Sequence, residues 1–178
     1  MRNDTKLQNV RFWWSRREFS PEAVADLLNR FLAVGAEAEV IPARWFFGGE
    51  TRAEALTRVA FNLQNAHARL HAADVPVGEN ELSLAYHVLI WAPGSGELVG
   101  DWGLRLQIDR VENGRGPDDV LEVTFSPPRS VAQSLVDVGA EALQATRVDG
   151  VVFDPDWREK VVPNVPAPEP EIAVLYTR

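Results

Sequence analysis

Leu82-Ser83-Leu84-Ala85-Tyr86-His87-Val88-Leu89-Ile90, then Pro93-Gly94-Ser95-Gly96, then Leu98-Val99-Gly100-Asp101-Trp102-Gly103-Leu104-Arg105-Leu106-Gln107-Ile108 is the stretch that decides the fold class. Leu82, Leu84, Tyr86, Val88 and Ile90 alternate with smaller or polar residues, the period of a strand with one buried face. The Pro-Gly-Ser-Gly segment gives a turn, and the alternation resumes to Val111 with Trp102, Leu104, Leu106 and Ile108 on one side. A third run, Val120 to Phe125, follows the turn residues Asn113 to Asp119. Three consecutive strands with short connections predict an antiparallel meander.

Outward from this centre the period changes. On the N-terminal side, Val10 to Ser15 predicts a first strand, rich in aromatic and β-branched residues. Ser20-Pro21-Glu22 predicts a helix start, with Ser at the N-cap, Pro at the first helical position and a carboxylate in the positive first turn. Val24, Leu27, Leu28 and Phe31 form its apolar stripe, and Gly35 is placed to end it. Arg44 to Phe47 reads as a short extended run. Thr51-Arg52-Ala53-Glu54 has capping-box spacing, and Leu56, Val59, Ala60, Leu63, Ala66 and Leu70 predict a helix from Arg52 to about Ala72. On the C-terminal side, Ser130 to Thr146 is helical. Gly150 to Phe153 and Glu171 to Thr177 are strands, joined by a proline-rich loop from Pro163 to Pro170. The order predicts a single α+β domain over residues 1–178, a mostly antiparallel sheet with helices packed on one face.

A chain of 178 residues can bury roughly 70% of the surface its unfolded form exposes, so no staple is needed. Zero cysteines exclude disulfides, thiolate catalysis and cysteine-ligated metals, and suit a reducing cytoplasm, the expected location. No apolar core of a secretory signal stands near Met1, and no run approaches the roughly 20 apolar residues that span a bilayer.

Charge is divided by position. Residues 1–73 carry 10 Lys+Arg against 8 Asp+Glu, and residues 74–178 carry 8 against 18, which together give the net −8. No Lys or Arg occurs between Arg69 and Arg105, whereas Asp74, Glu79, Glu81, Glu97 and Asp101 all do. Such a surface repels nucleic acid and anionic membrane and speeds encounter with a basic protein.

Catalytic signatures are weak. His67 and His71 stand at i, i+4 on the expected second helix, with Asp74 one turn on, and could hold a metal in a small enzyme; Ala68 occupies the place of the glutamate that makes such a pair a metalloprotease signature. The competing reading is a solvated helix face, and His87 in its strand reads as a sheet-surface residue. Ser95 lacks a nucleophile-elbow context, and Gly94, Gly96 and Gly100 are spaced one residue too long for a dinucleotide fingerprint. Asp154, Asp156, Glu159 and Lys160 fall short of nuclease spacing, because Glu159 and Lys160 would point to opposite faces of a strand. No cofactor is expected. Trp13 and Trp14, adjacent in a strand, face opposite sides; one needs a second covering layer or serves as an exposed binding anchor beside Arg16 and Arg17.

The stretch Trp13-Trp14-Ser15-Arg16-Arg17-Glu18, Ser20-Pro21-Glu22, Ala43-Arg44-Trp45-Phe46 and Gly49-Glu50-Thr51-Arg52-Ala53-Glu54-Ala55-Leu56 resembles the N-terminal half of the immunity protein 52 family of bacterial polymorphic toxin systems. Phe153-Asp154-Pro155, Trp157 and a last strand near Tyr176 extend the likeness; Ala173-Val174 stands where that pattern has Gly-Trp. The resemblance implies an antitoxin that binds and neutralises a toxin delivered by contact-dependent or type VI secretion. The partner implied is a toxin with a restriction-endonuclease-like domain. The acidic charge accords with that independently, since a basic nucleic-acid cleft can be filled by carboxylates. Glu79, Glu81, Glu97 and Asp101 are the expected contact carboxylates, with Trp14 and Trp102 as apolar anchors if inhibition avoids the active site. A structural adaptor is the remaining alternative.

Overall fold

The computed structural model describes residues 6–15, 20–48, 58–62, 84–109, 119–152 and 171–178. The predicted meander is its centre. The strands Leu84–Ser95, Leu98–Asp109 and Asp119–Arg129 pair antiparallel, with Ile90 opposite Leu104 and Leu104 opposite Val123. Val88, Ile90, Trp102, Leu104, Leu106, Ile108, Leu121, Val123 and Phe125 are all buried, so the period of two reads out as one continuous apolar face. The first of these strands runs on through the expected turn to Ser95, and the reversal is only Gly96-Glu97, with Ser95 opposite Leu98. Pro93 is tolerated there because the neighbouring strand on its other side, Phe46–Phe47, reaches only Trp91.

With the elements numbered along the chain, β1 is Leu7–Trp14, α1 Pro21–Glu37 and β2 Phe46–Phe47. The meander strands are β3, β4 and β5, followed by α2 Gln133–Leu143, β6 Arg147–Val152 and β7 Glu171–Thr177. The described strands form one antiparallel sheet in the order β2-β3-β4-β5-β1-β6-β7. The first strand in sequence thus lies between β5 and β6, with Phe12 opposite Leu121 on one side and Val148 on the other. Both described helices cover the same face. Phe12 meets Phe31 of α1 edge to face at 5.7 Å, and α2 approaches so closely at Gly139 that an added Cβ would lie 2.3 Å from Cε1 of Phe12.

Helix α1 begins as expected, with Ser20 Oγ accepting from the N–H of Ala23 at 3.2 Å. Gly35 does not end it. The helix runs on to Glu37, and Gly35 is buried where the chain folds back: its carbonyl accepts from the N–H of Val40 and of Ile41, and Ile41 occupies the space a Cβ would need. A continuous helix from Arg52 to about Ala72 is also corrected. Residues 58–62 are not helical: Arg58 is left-handed, Ala60 bridges to Phe46, and Phe47 N–H bonds Val59 C=O while Phe61 N–H bonds Trp45 C=O. The half-buried Val59 and Phe61 pack on the core by this route. The flanking parts of that helix, including the capping box, lie outside the described residues, as do Glu159, Lys160 and the proline-rich loop. Helix α2 is shorter than the expected 130–146 span, closing on a left-handed Gln144. Trp13 and Trp14 take opposite faces: Trp14 is fully buried under the helices, and Trp13 is half-buried on the other side.

Candidate protein-binding site at the hairpin end

Where the β3–β4 hairpin turns, three other chain segments converge. The turn is held close by glycine: a Cβ on Gly94 would sit 2.2 Å from the Leu98 carbonyl oxygen, and one on Gly100, at φ +93°, 2.6 Å from that of Ser126. This tucks the hairpin end against the last residues of β5. From there the chain leaves through Ser130 to Ala132 into α2, while the end of α1 arrives through Ala38 to Val40. Between them lies a hollow of about 390 Å³.

Its floor is aromatic and aliphatic. Trp102 and Phe125 are cross-strand partners packed edge to face, 4.9 Å between centroids, with Leu98, Val40 and Leu135 around them. The guanidinium of Arg129 lies over the Trp102 ring, 4.9 Å from its centroid, and its Nη1 is buried with no hydrogen-bond partner among the described residues. The rim carries the exposed carboxylates of Glu39 and Glu97, and the hydroxyls of Ser130 and Ser134. Glu39 is thrown outward by its own backbone, a left-handed residue (φ +57°) just past α1. Such a hollow can seat an apolar or aromatic side chain and engage charge around it. Its lining contains neither histidine nor an acid–base pair positioned on a hydroxyl.

The hollow unites two expected site residues, Glu97 and Trp102. Trp102 is buried (3% exposed) and serves as floor, where an exposed anchor was expected; Trp14, at 0%, is walled off in the core and reaches no partner. Both are corrected to core residues, because their strand positions point under the helices. Asp101 is exposed but faces the opposite side of the sheet, opposite Ser126. Trp45 is buried, and its Nε1 donates to the Pro42 carbonyl at 2.7 Å. Arg16, Arg17, Glu18, Glu79, Glu81, His67, His71 and Asp74 lie outside the described residues. Among the described residues no group of three or more His, Asp or Glu could hold a metal. Nor is any described helix long and apolar enough to cross a membrane.

On the face away from the helices, one register row crosses four strands as Arg105, Glu122, Arg11 and Asp149. Glu122, buried, accepts from Arg11 Nε and from Arg105 Nη2 (3.2 Å), and Asp149 accepts from Arg147 Nε at 2.6 Å. These pairs fix register and leave no spare charge in the row. Sequence reasoning missed Glu39, Arg129 and this row. The only trace of the row was a charged residue at an alternate position of each strand. Glu39 and Arg129 had none, since their roles arise from segments brought together by the fold.

No protein-family model and no curated protein matches this chain.

Proposed function

We propose that the chain is an immunity protein of the immunity protein 52 type, a cytoplasmic antitoxin that neutralises a cognate secreted toxin by stoichiometric binding and performs no turnover. The partner in this reading is a basic, nucleic-acid-cleaving domain. The observation that carries it is the acidic mouth of an aromatic-floored hollow, Glu39 and Glu97 above Trp102 and Phe125, on a chain of net charge −8. An apolar pocket rimmed by carboxylates complements a protein surface that presents an apolar side chain among lysines and arginines. Asp101, on the other side of the sheet, takes no part in this hollow.

Co-expression with the product of the neighbouring gene, the toxin expected in this reading, tests the function: growth is restored if the reading holds, and unrelieved toxicity ends it. Metal analysis of the purified chain separates it from the enzyme built on His67, His71 and Asp74, which would carry stoichiometric metal. For the site, charge reversal of Glu39 and Glu97 together slows association with the toxin about tenfold at low salt and flattens its salt dependence. Unchanged association kinetics would move the interface elsewhere.

A further inference from the structure

The outermost strand, β7, is the long edge of the sheet. Among the described residues nothing pairs with its outer side, and the other edge, β2, is only two residues long. Proteins commonly blunt such an edge with lysine, proline or an inward charge, because its unpaired N–H and C=O groups template another strand. Between Ile172 and Thr177 the sequence Ile-Ala-Val-Leu-Tyr-Thr contains no charged residue and no proline. Ile172 and Val174 are 51% and 58% exposed, two of the few large apolar side chains left in solvent among the described residues.

The edge is also complementary to itself. Val174 lies opposite Asp149 and Thr177 opposite Arg147, so Ile172, Val174 and Thr177 share the face away from the helices. Leu175 is the extra residue where the register shifts, and both Leu175 and Tyr176 pack toward the core. A two-fold axis normal to the sheet keeps faces matched only if a residue meets its own copy. Centred on Val174, that pairing sets Ala173 against the Leu175–Tyr176 bulge, Ile172 against Thr177, and Glu171 against Arg178. The exposed carboxylate and guanidinium at the two ends of the strand are thus brought together twice.

We propose that β7 is a self-association edge, through which two copies of this chain join antiparallel about Val174 into one continuous sheet. This is independent of the toxin reading, since the hollow lies at the hairpin end of β3 and β4.

The absence of cysteine makes the test direct. Opposed residues of antiparallel strands have Cα atoms about 4.5–5.5 Å apart, within disulfide range. Val174→Cys should therefore cross-link to its own copy under mild oxidation, and Val99→Cys, 72% exposed on β4, should not. Light scattering of the unmodified chain at tens of micromolar should give twice the 19.8 kDa of one chain. Val174→Lys should return that mass to 19.8 kDa with an unchanged circular dichroism spectrum, and Glu171→Arg should weaken association at least tenfold. A monomer at these concentrations, cross-linking no faster for Val174→Cys than for Val99→Cys, or an intact dimer in Val174→Lys would each overturn the proposal. A β7 that pairs only with an added toxin strand would appear as such a monomer.

Discussion

Glu122 shows how a single residue holds register here. Its side chain is 10% exposed, and its two arginine partners, at 32% and 45%, reach water, so the triad sits between a buried network and a surface pair. Removing the acceptor leaves both guanidiniums without their shared carboxylate, whereas removing one guanidinium leaves the other in place. Glu122→Gln should therefore cost about 1–2 kcal/mol, and Arg105→Gln no more than about 0.5 kcal/mol, read from urea midpoints at constant m-value. Equal effects would mean that the row adds no register-specific energy. Arg129 is a contrasting case: its Nη1 is buried beside Trp102 with no hydrogen-bond partner among the described residues. A residue that follows Pro127-Pro128 in the sequence gives no hint of that placement.

At the scale of the element, the decisive contact is α2 on β1. Gly139 is helical, so alanine there would gain about 1 kcal/mol of helix propensity. Its Cβ, however, would stand 2.3 and 2.5 Å from ring atoms of Phe12 and 3.1 Å from Phe31, all inside the core. Overpacking of that kind costs about 1–3 kcal/mol and wins, so Gly139→Ala should lower the urea midpoint and Gly139→Val should lower it further. Gly35→Ala meets one aliphatic side chain, buried Ile41, at 2.7 and 2.8 Å from its Cδ1 and Cγ1, where Gly139→Ala meets two aromatic rings, and its loss should be smaller than that of Gly139→Ala. Helix α1 shows what was legible locally. Its start needed only Ser20, Pro21 and Glu22, because a cap is made by residues three apart. Its end depended on Ile41 packing beside Gly35, a contact that glycine punctuation in sequence does not distinguish from a stop. The same reason overturned the expected second helix: Val59 and Ala60 fall on its helical stripe with Leu56 and Leu63, but residues 59–61 bond and bridge to Trp45, Phe46 and Phe47.

For the whole molecule, topology makes one strand indispensable. β1 fills the slot between β5 and β6, so its absence leaves two unpaired edges in the middle of the sheet and strips Phe12 and Trp14 from under the helices. A chain lacking residues 7–14 should show no cooperative unfolding transition by circular dichroism. Because β1 pairs with segments more than a hundred residues away, as Arg11 does with Glu122 and Asp149, refolding should take milliseconds to seconds rather than microseconds in stopped-flow tryptophan fluorescence.

The sequence alone determined the α+β class, the antiparallel meander, the capped start of α1 and the acidic character, because alternation, capping and charge are properties of neighbours along the chain. Tertiary structure alone decided that β1 is central, that β7 forms the long edge, that Trp14 faces inward and Trp13 outward, and that Glu39, Glu97, Trp102 and Arg129 share one hollow. Those facts depend on pairings and packings between distant segments, which are chosen by burial of the whole core rather than by any local pattern.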